Sequence, residues 1–338
     1  MFLDNASTTP LTPQVKQYII DLLDQFYNPS SMYQSGVNAK QIITTARNNV
    51  AKFINADPQD IIFTSGGSAS NTLAIKGYES IHNCIIYYSP LLHKSALKYI
   101  ETLYYNTEQF KVDCNGLIDI MDFKNRMNSL KYNPFVIIEY ANSEIGTIQN
   151  VKEIINITHK FNGIVYLDCT GSISTIPLDI KELNCDLAGF SAHKLGALKG
   201  TGVLYKKTTI ELEPLIYGTQ EQGLFAGTEN TIGIGALGKA IENYDYSSIT
   251  SKNRDYVYEY ILKNIPNSYL VGESIGKNRL PHNLYICFEG IQGESLMTLL
   301  DMDDIQVSTG SACSSGSLAP SSTLVAIGMN KTDINSCI

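Results

Sequence analysis

Short apolar runs rich in β-branched and aromatic residues alternate with segments of helical pattern along most of this chain. The runs that predict strands are residues 61–64, 84–88, 135–140, 164–167, 187–190 and 202–205. Helical segments follow the first three runs, at residues 69–80, 94–104 and 151–161. Because parallel strands need a crossover connection, usually a helix, this alternation predicts a mixed, mostly parallel, doubly wound α/β sheet flanked by helices.

The pattern changes after about residue 245, beyond a polar segment at 243–248. The elements predicted beyond it are helices over 252–262 and 294–300, and strands near 284–288 and 305–307. A chain of 338 residues suits one large domain with a smaller one. We therefore predict a large domain over residues 15–245 and a smaller α+β domain formed by residues 1–14 and 246–338.

Charge and hydropathy exclude several classes of function. The net charge of −8 provides no basic surface for a phosphate backbone, so we expect no nucleic-acid partner. No apolar run approaches the length that spans a membrane, and no basic stretch followed by an apolar one opens the sequence. We therefore expect a cytoplasmic protein without a membrane partner.

The seven cysteines include no C-x-x-C motif, and their number is odd. This pattern supports neither a disulfide framework nor a zinc site, and we predict no metal. Most of the cysteines lie in apolar runs, where we expect them to behave as small core residues.

Lys194 lies in the segment Ser191-Ala192-His193-Lys194, directly after the predicted strand that ends at Phe190. Reactive groups of open α/β sheets gather beyond the carboxyl ends of strands. An amine held there and partly desolvated acts as a nucleophile toward an aldehyde. A surface lysine extending from a strand end is the alternative, and this tetrapeptide by itself favours that alternative.

Asp168 ends the predicted strand 164–167, so we expect it at the same sheet edge as Lys194. A buried carboxylate there can face the ring nitrogen of pyridoxal phosphate and keep that nitrogen protonated, so that the ring accepts electrons. Aspartate is also a common helix N-cap at a strand–helix turn, and the residue alone does not separate the two roles.

A turn of small residues, Ser65-Gly66-Gly67-Ser68, joins the first predicted strand to a helix. Glycines let the backbone approach a phosphate, which the helix N-terminus attracts; an ordinary serine-capped helix begins in the same way. His93 follows the second strand, where an imidazole can stack on a cofactor ring and move protons. A lone histidine is more often satisfied locally, and His82, His159 and His282 have no comparable context.

Cys313 lies among small residues only, in Ser308-Thr309-Gly310-Ser311-Ala312-Cys313-Ser314-Ser315-Gly316. A structural cysteine normally has apolar neighbours, so this segment favours an accessible thiol. Such a thiol suits a nucleophile that enters a site and leaves with its product.

Seven segments, in this order along essentially the whole chain, resemble the cysteine desulfurases of the iron–sulfur and nitrogen-fixation branch (NifS/IscS type). They are Leu3-Asp4-Asn5-Ala6-Ser7-Thr8-Thr9-Pro10, Asn28-Pro29-Ser30-Ser31, Thr64-Ser65-Gly66 with Asn71-Thr72-Leu73-Ala74-Ile75-Lys76-Gly77, Glu144-Ile145-Gly146-Thr147-Ile148-Gln149, Ser191-Ala192-His193-Lys194, Gly227-Thr228-Glu229-Asn230 and Ser308-Thr309-Gly310-Ser311-Ala312-Cys313. Each segment alone is a weak signal, and the ordered set is specific.

The resemblance implies a homodimer of the pyridoxal-phosphate-dependent transferase fold, type I, that removes sulfur from L-cysteine. Lys194 is expected to bind the cofactor covalently and to act as the base, Asp168 to face its ring nitrogen and His93 to stack on the ring. Gly67, Ser68, Ser191 and His193 are expected around the phosphate, with Thr228 reaching the phosphate of the partner subunit. Asn5 and Ser143 are expected to bind substrate. Cys313 is expected to carry a persulfide to an acceptor or scaffold protein.

Four departures from the family pattern predict weakened or unusual catalysis. Gly171 stands where the family has a glutamine that donates to the cofactor phenolate, and Ser143 replaces an asparagine that binds the substrate carboxylate. Phe225 stands in place of an arginine. The sequence ends at Ile338, before the family's carboxylate-binding arginine, which predicts either a truncated chain or a short small domain. Losing that pair weakens substrate binding by about 1.5–3 kcal/mol.

Three functions therefore follow from the sequence. The first is a cysteine desulfurase. The second is a related class V aminotransferase or selenocysteine lyase, which turnover on cysteine and selenocysteine distinguishes. The third is a catalytically weakened paralogue that binds a sulfur-transfer partner, which would stay colourless when supplied with cofactor.

Overall fold

The computed structural model describes residues 1–103, 106–130, 132–310 and 320–338. In this part of the chain the main sheet has seven strands, in the order β1-β7-β6-β5-β4-β2-β3. The strands are β1 (Ile61–Thr64), β2 (Cys84–Tyr88), β3 (Thr107–Gln109), β4 (Asn133–Glu139), β5 (Ile164–Asp168), β6 (Leu187–Ser191) and β7 (Gly202–Lys206).

All strands of this sheet are parallel except β7, which pairs antiparallel with both β1 and β6. The predicted mixed, mostly parallel sheet is therefore confirmed. In the register, Glu139 at the end of β4 lies beside Asp168 at the end of β5, and Asp168 lies beside Gly189 of β6. The carboxyl ends of β4, β5 and β6 consequently meet at one edge of the sheet.

Helices cover both faces of the sheet. Those in the described chain up to residue 264 are α1 (Pro13–Leu22), α2 (Gln34–Phe53), α3 (Gly67–Glu79), α4 (Lys94–Ile100), α5 (Ile120–Met127), α6 (Val151–Lys160), α7 (Ile180–Leu183), α8 (Thr231–Ile241) and α9 (Lys252–Asn264). On one face, α2, α5, α6 and α8 pack against strand residues such as Val136 and Ile138. On the other face, α3 and α4 pack against Phe135 and Ile137. Successive residues of β4 thus enter opposite cores, which is why this strand is apolar throughout.

Beyond α9, strands β8 (Ser268–Leu270) and β9 (Ile286–Phe288) form an antiparallel pair, followed by α10 (Gly293–Met302) and α11 (Ser322–Ala326). A third apolar cluster combines residues of this region, such as Tyr285 and Leu324, with Leu91 and Ile145. The division into domains near residue 245 stays a prediction.

The predicted strand near 305–307 is wrong. Only an isolated bridge joins Gln306 to Phe2, because the chain's N-terminal segment pairs with it at a single position. No helix in the described part of the chain is both long enough and apolar enough to cross a membrane. Five of the six described cysteines are buried and free, whereas Cys114 is exposed.

The free edge of β1 is covered by an ion pair between Arg47 of α2 and Glu221. Glu221 Oε2 accepts from the amide of Phe63 at 2.7 Å, and Arg47 donates to the carbonyl of Ile61. Two guanidinium nitrogens meet the Glu221 carboxylate at 2.5 and 3.1 Å. The pair therefore supplies β1 with the hydrogen bonds that an edge strand otherwise lacks.

Replacing Glu221 with Ala should lower the free energy of unfolding by about 3–5 kcal/mol, because it leaves the partly buried Arg47 guanidinium without its counter-charge and the Phe63 amide without its acceptor. Urea unfolding measures this. Glu101→Ala, which removes an exposed ion pair with Lys98, is the control and should cost less than about 1 kcal/mol. Equal losses for the two variants would show that the Arg47–Glu221 pair does not support β1.

Candidate active site

Asp168 is buried at the end of β5, with 4% of its surface exposed. Its Oδ1 accepts from the amide of Thr170 at 2.9 Å, as an N-cap does. Its Oδ2 accepts from Asn71 Nδ2 of α3, also at 2.9 Å. The carboxylate therefore stabilises the turn that follows β5, although no helix begins there, and its role toward a cofactor stays a prediction.

A chain of hydrogen bonds connects Asp168 to His93. Asn71 Nδ2 also donates to Ser95 Oγ at 3.0 Å, and Ser95 Oγ lies 2.8 Å from His93 Nδ1. His93 itself caps α4 by accepting from the Ser95 amide. The hydroxyl of the fully buried Tyr166 donates to Asn71 Oδ1, which fixes the orientation of the amide. The sequence pattern had singled out Asn71 only as part of a motif.

Lys194 and His193 follow β6 in a short 3₁₀ turn. Lys194 Nζ donates to the carbonyls of Ala6 and Ser7, so the N-terminal segment lies over the end of β6. His193 Nδ1 lies 3.1 Å from Thr8 Oγ1. Burial, assisted by the positive charges of Lys194 and Lys199, lowers the pKa of His193 to about 4, so its imidazole is neutral at pH 7.

His282 is a further member of this region that the sequence did not indicate. Its pKa falls to about 4, first because of burial and then because of the charges of Lys194 and Arg254. Its Nδ1 is buried and has no hydrogen-bond partner among the described residues. A neutral imidazole therefore lies within electrostatic range of Lys194, contrary to the expectation that His282 has no such context.

The first turn of α3 forms a cradle with the ends of β5 and β6. Gly67 N donates to Ser191 Oγ at 2.8 Å, and no side chain of the described residues caps α3. A Cβ at Gly67 would lie 2.6 Å from Ser191 Oγ and 2.9 Å from Thr170 Oγ1, so only glycine leaves this space open. Thr170 Oγ1 is buried and has no partner within the described chain. An uncapped helix start with an unsatisfied hydroxyl fits a phosphate group.

Ser143, predicted to bind substrate, lies against Gly171. A Cβ at Gly171 would come within 2.7 Å of the Ala141 carbonyl and 3.3 Å of Ser143 Cβ. Two of the four departures from the family pattern are therefore neighbours in space, where the loops after β4 and β5 meet. Ser143 and Asn5 are both exposed.

A buried arginine orients the turn that carries Ser143. Asn283 Nδ2 donates to the carbonyls of Ser143 and Glu144, at 3.1 and 2.9 Å. Asn283 is held in turn by Arg279 Nη2 at 2.8 Å. Burial lowers the pKa of Arg279 to about 10, which leaves its guanidinium charged at pH 7. Asn283 and Arg279 thus fix the loop that carries Ser143, and no local sequence signal indicated this.

Cys313 lies outside the described residues, but the described residue Gly310 shows how its segment begins. Gly310 N donates to Tyr285 Oη at 3.1 Å, and Tyr285 Oη lies 3.2 Å from Glu144 Oε1. A Cβ at Gly310 would overlap both Glu144 Oε1 and Tyr285 Oη, so glycine is required there. The segment that leads to Cys313 is thus connected to the loop that carries Ser143.

The remaining predicted residues lie at the surface. Ser68 is exposed in the first turn of α3, and Thr228 is exposed next to Gly227, whose φ is +121°. Phe225, in place of the family's arginine, packs against the core beneath α3 and α4. The structure brings Asp168, His93, Gly67, Ser191, His193 and Lys194 to one sheet edge, while their roles stay predictions.

Replacing Asn71 with Ala should lower the free energy of unfolding at pH 7 by about 1.5–3 kcal/mol, because the buried Asp168 carboxylate loses one of its two donors. Thr72→Ala is the control; its hydroxyl bonds only to the carbonyl of Ser68, and the expected change is within about 0.5 kcal/mol. Chemical denaturation measures both, and equal effects would contradict the role assigned to Asn71.

Comparison with known proteins shows the family of this chain. The model of the aminotransferase class-V family matches residues 1–332. Cysteine desulfurase IscS of Dictyoglomus turgidum is 38% identical over 341 residues, which cover 97% of this chain and 85% of that protein. A solved NifS-like protein from Rickettsia africae is 29% identical with a TM-score of 0.90, covering 100% of this chain and 92% of its own. The structure of SspA in complex with cysteine is 27% identical with a TM-score of 0.85, covering 99% and 96%. The chain therefore belongs to the aminotransferase class-V family and, within it, to the cysteine desulfurases.

Proposed function

We propose that this chain is a pyridoxal-phosphate-dependent cysteine desulfurase that converts L-cysteine to L-alanine and holds the released sulfur as a persulfide on Cys313. The observation that carries the proposal is the meeting of three parts at one sheet edge. These parts are the hydrogen-bonded carboxylate of Asp168, the amine of Lys194 and the cradle formed by Gly67, Thr170 and Ser191. A related family member, SspA, has been solved in complex with cysteine.

The residues present fit the cofactor. The cradle has an unsatisfied hydroxyl on Thr170 and an uncapped helix start, which suit a phosphate dianion. Gly67, Ser68, Ser191 and His193 would hold the phosphate, Lys194 the aldehyde carbon and Asp168 the ring nitrogen. When bound, pyridoxal phosphate supplies a protonated ring that accepts electrons from the substrate Cα.

The protein's own groups account for the remaining chemistry. Asp168 keeps its carboxylate oriented through Asn71 and Thr170, so it can stabilise a positive charge in a buried site. Lys194 Nζ takes the α-proton of L-cysteine. Cys313 Sγ then attacks the substrate sulfur, so that an S–S bond forms as the Cβ–S bond breaks. L-cysteine and the Cys313 thiol thus become L-alanine and a persulfide without any outside oxidant.

We further propose that the protein is a cytoplasmic homodimer, in which Thr228 reaches the phosphate site of the partner subunit. Each subunit has two domains divided near residue 245. An acceptor protein of iron–sulfur, thio-cofactor or transfer-RNA biosynthesis receives the sulfur. The homodimer is supported by a cluster of exposed apolar side chains near α1 and α2, namely Leu23, Phe26, Met32 and Tyr33. Met32 is 96% exposed, which is unusual for a side chain of this size in an isolated subunit.

The test is to supply the purified protein with pyridoxal phosphate and L-cysteine and to measure visible absorbance, alanine and protein-bound sulfane sulfur. Lys194→Ala should remove the visible band of the bound cofactor and lower alanine formation by about 10²-fold or more. Cys313→Ala should keep the band but stop alanine formation. Cys114→Ala, which removes an exposed thiol elsewhere in the chain, is the control and should behave like the wild-type protein.

Undiminished alanine formation in Cys313→Ala would contradict persulfide transfer and favour another lyase. Protein that stays colourless with the cofactor present would contradict the proposed function as a whole.

A further inference from the structure

Glu139 is a buried acid beside Asp168 that no part of the proposed reaction uses. It ends β4, directly next to Asp168 in the register, so both side chains leave the sheet on the same face. Only 4% of its surface is exposed. Ser89 Oγ donates to Oε1 at 3.1 Å, but Oε2 is buried and finds no hydrogen-bond partner among the residues that the structure describes.

The surroundings of Glu139 disfavour a second negative charge. Of the groups around it, Ser89, directly after β2, contributes a hydroxyl, and Asp168 at the end of β5 contributes a carboxylate. Asn71 on α3 donates to Asp168 and not to Glu139. Burial, with a smaller contribution from Asp168, raises the pKa of Glu139 to about 8 even though Ser89 and its own amide oppose the shift. Each oxygen of Asp168 accepts from a donor, whereas Oε2 of Glu139 does not, so of these two adjacent buried carboxylates Glu139 takes up the proton.

We propose that Glu139 is a positioning residue that stays a neutral carboxylic acid and leaves Asp168 as the single negative charge on the floor of the site. Protonation removes the negative charge that Oε2, which has no donor among the described residues, would otherwise leave without compensation. The protonation state of Glu139 does not depend on the proposed function, but its consequence for the cofactor does. With Glu139 neutral, the single negative charge of Asp168 balances the single positive charge of a protonated ring nitrogen. A second charge there would strengthen the hold on the ring proton and add repulsion toward the phosphate.

The first experiment needs no cofactor. An acid whose pKa rises from about 4.3 in the unfolded chain to about 8 in the folded one binds more protons when folded. Its stabilising contribution is complete below the unfolded pKa and is lost as the pH rises through the folded pKa. Between these two pKa values, the folding equilibrium constant of the wild-type protein should fall by up to tenfold for each unit of rising pH. Glu139→Gln should not show this fall, because its amide cannot titrate.

Glu153→Gln is the matched control, since Glu153 forms an exposed pair with Lys124 on the outside of α6. Its pH profile of unfolding should run parallel to that of the wild-type protein. Parallel profiles for the wild type and Glu139→Gln would overturn the proposal, because Glu139 would then carry the same charge in both states.

Infrared spectroscopy of the wild-type protein provides a readout that does not depend on how well a variant folds. A carbonyl band of a protonated, buried carboxylic acid should be present at pH 7 and should disappear as the pH rises past about 8. The band should be missing from Glu139→Gln and present in Glu153→Gln. A wild-type spectrum without this band at pH 7 would overturn the proposal.

With the cofactor bound, the visible bands of wild type and Glu139→Gln should titrate alike below about pH 8, where both side chains are neutral, and should diverge above it, where only Glu139 ionises. Glu153→Gln should titrate like the wild-type protein throughout. A band that titrates identically in all three proteins would show that Glu139 does not act on the coenzyme. Failure of the cofactor to bind at all contradicts the proposed function instead, while the unfolding and infrared results still decide the protonation of Glu139.

Discussion

The parallel pairing of β5 between β4 and β6 is the constraint on which the site depends. It ends all three strands at one edge, so Glu139, Asp168 and the Ser191–Lys194 turn become neighbours although each follows a different stretch of chain. The strands are apolar throughout because helices cover both faces. A carboxylate at such an edge is desolvated, and it persists there only with donors such as Asn71 and Thr170.

Desolvation also sets the protonation of the groups around Asp168. Burial lowers the pKa of His193 and His282 to about 4 and raises that of Glu139 to about 8. These side chains are therefore neutral at pH 7, so they add no charge to the sheet edge that carries Asp168 and Lys194. A region with few competing charges is suited to binding a zwitterionic amino acid and a charged coenzyme in a fixed orientation.

Two departures from the family pattern, Gly171 and Ser143, lie next to each other in the structure. Gly171 has no space for a side chain because the Ala141 carbonyl approaches it, and the shorter Ser143 occupies the adjacent position. Arg279 and Asn283 nevertheless hold this loop by hydrogen bonds to its carbonyls, which do not depend on the side chain at 143. The loop is thus fixed although Ser143 is shorter than the family's asparagine, and the weakened substrate binding expected from this replacement stays a prediction.

Local pattern was sufficient for much of the fold and for part of the site. Strand periodicity and flanking turns predicted β1, β2 and β4 to β7 within two residues, since a strand buried on both faces has a distinct composition. Position at or after a strand end predicted that Asp168 and Lys194 lie at one sheet edge, where the structure has them, while their roles stay predictions. The predicted strand near 305–307 failed because its pairing depended on the distant N-terminal segment.

The sequence by itself determined which elements form and which residues end them, because those signals come from neighbours in the chain. Only the tertiary structure decided the antiparallel placement of β7, the bond between Asn71 and Asp168 across 97 residues, and the burial of Glu139 and His282. Contacts between distant residues arise from strand order and helix packing, which the spacing of residues along the chain does not reveal. Burial follows from those contacts and decides which groups hold a proton, so protonation states could not be predicted from the sequence either.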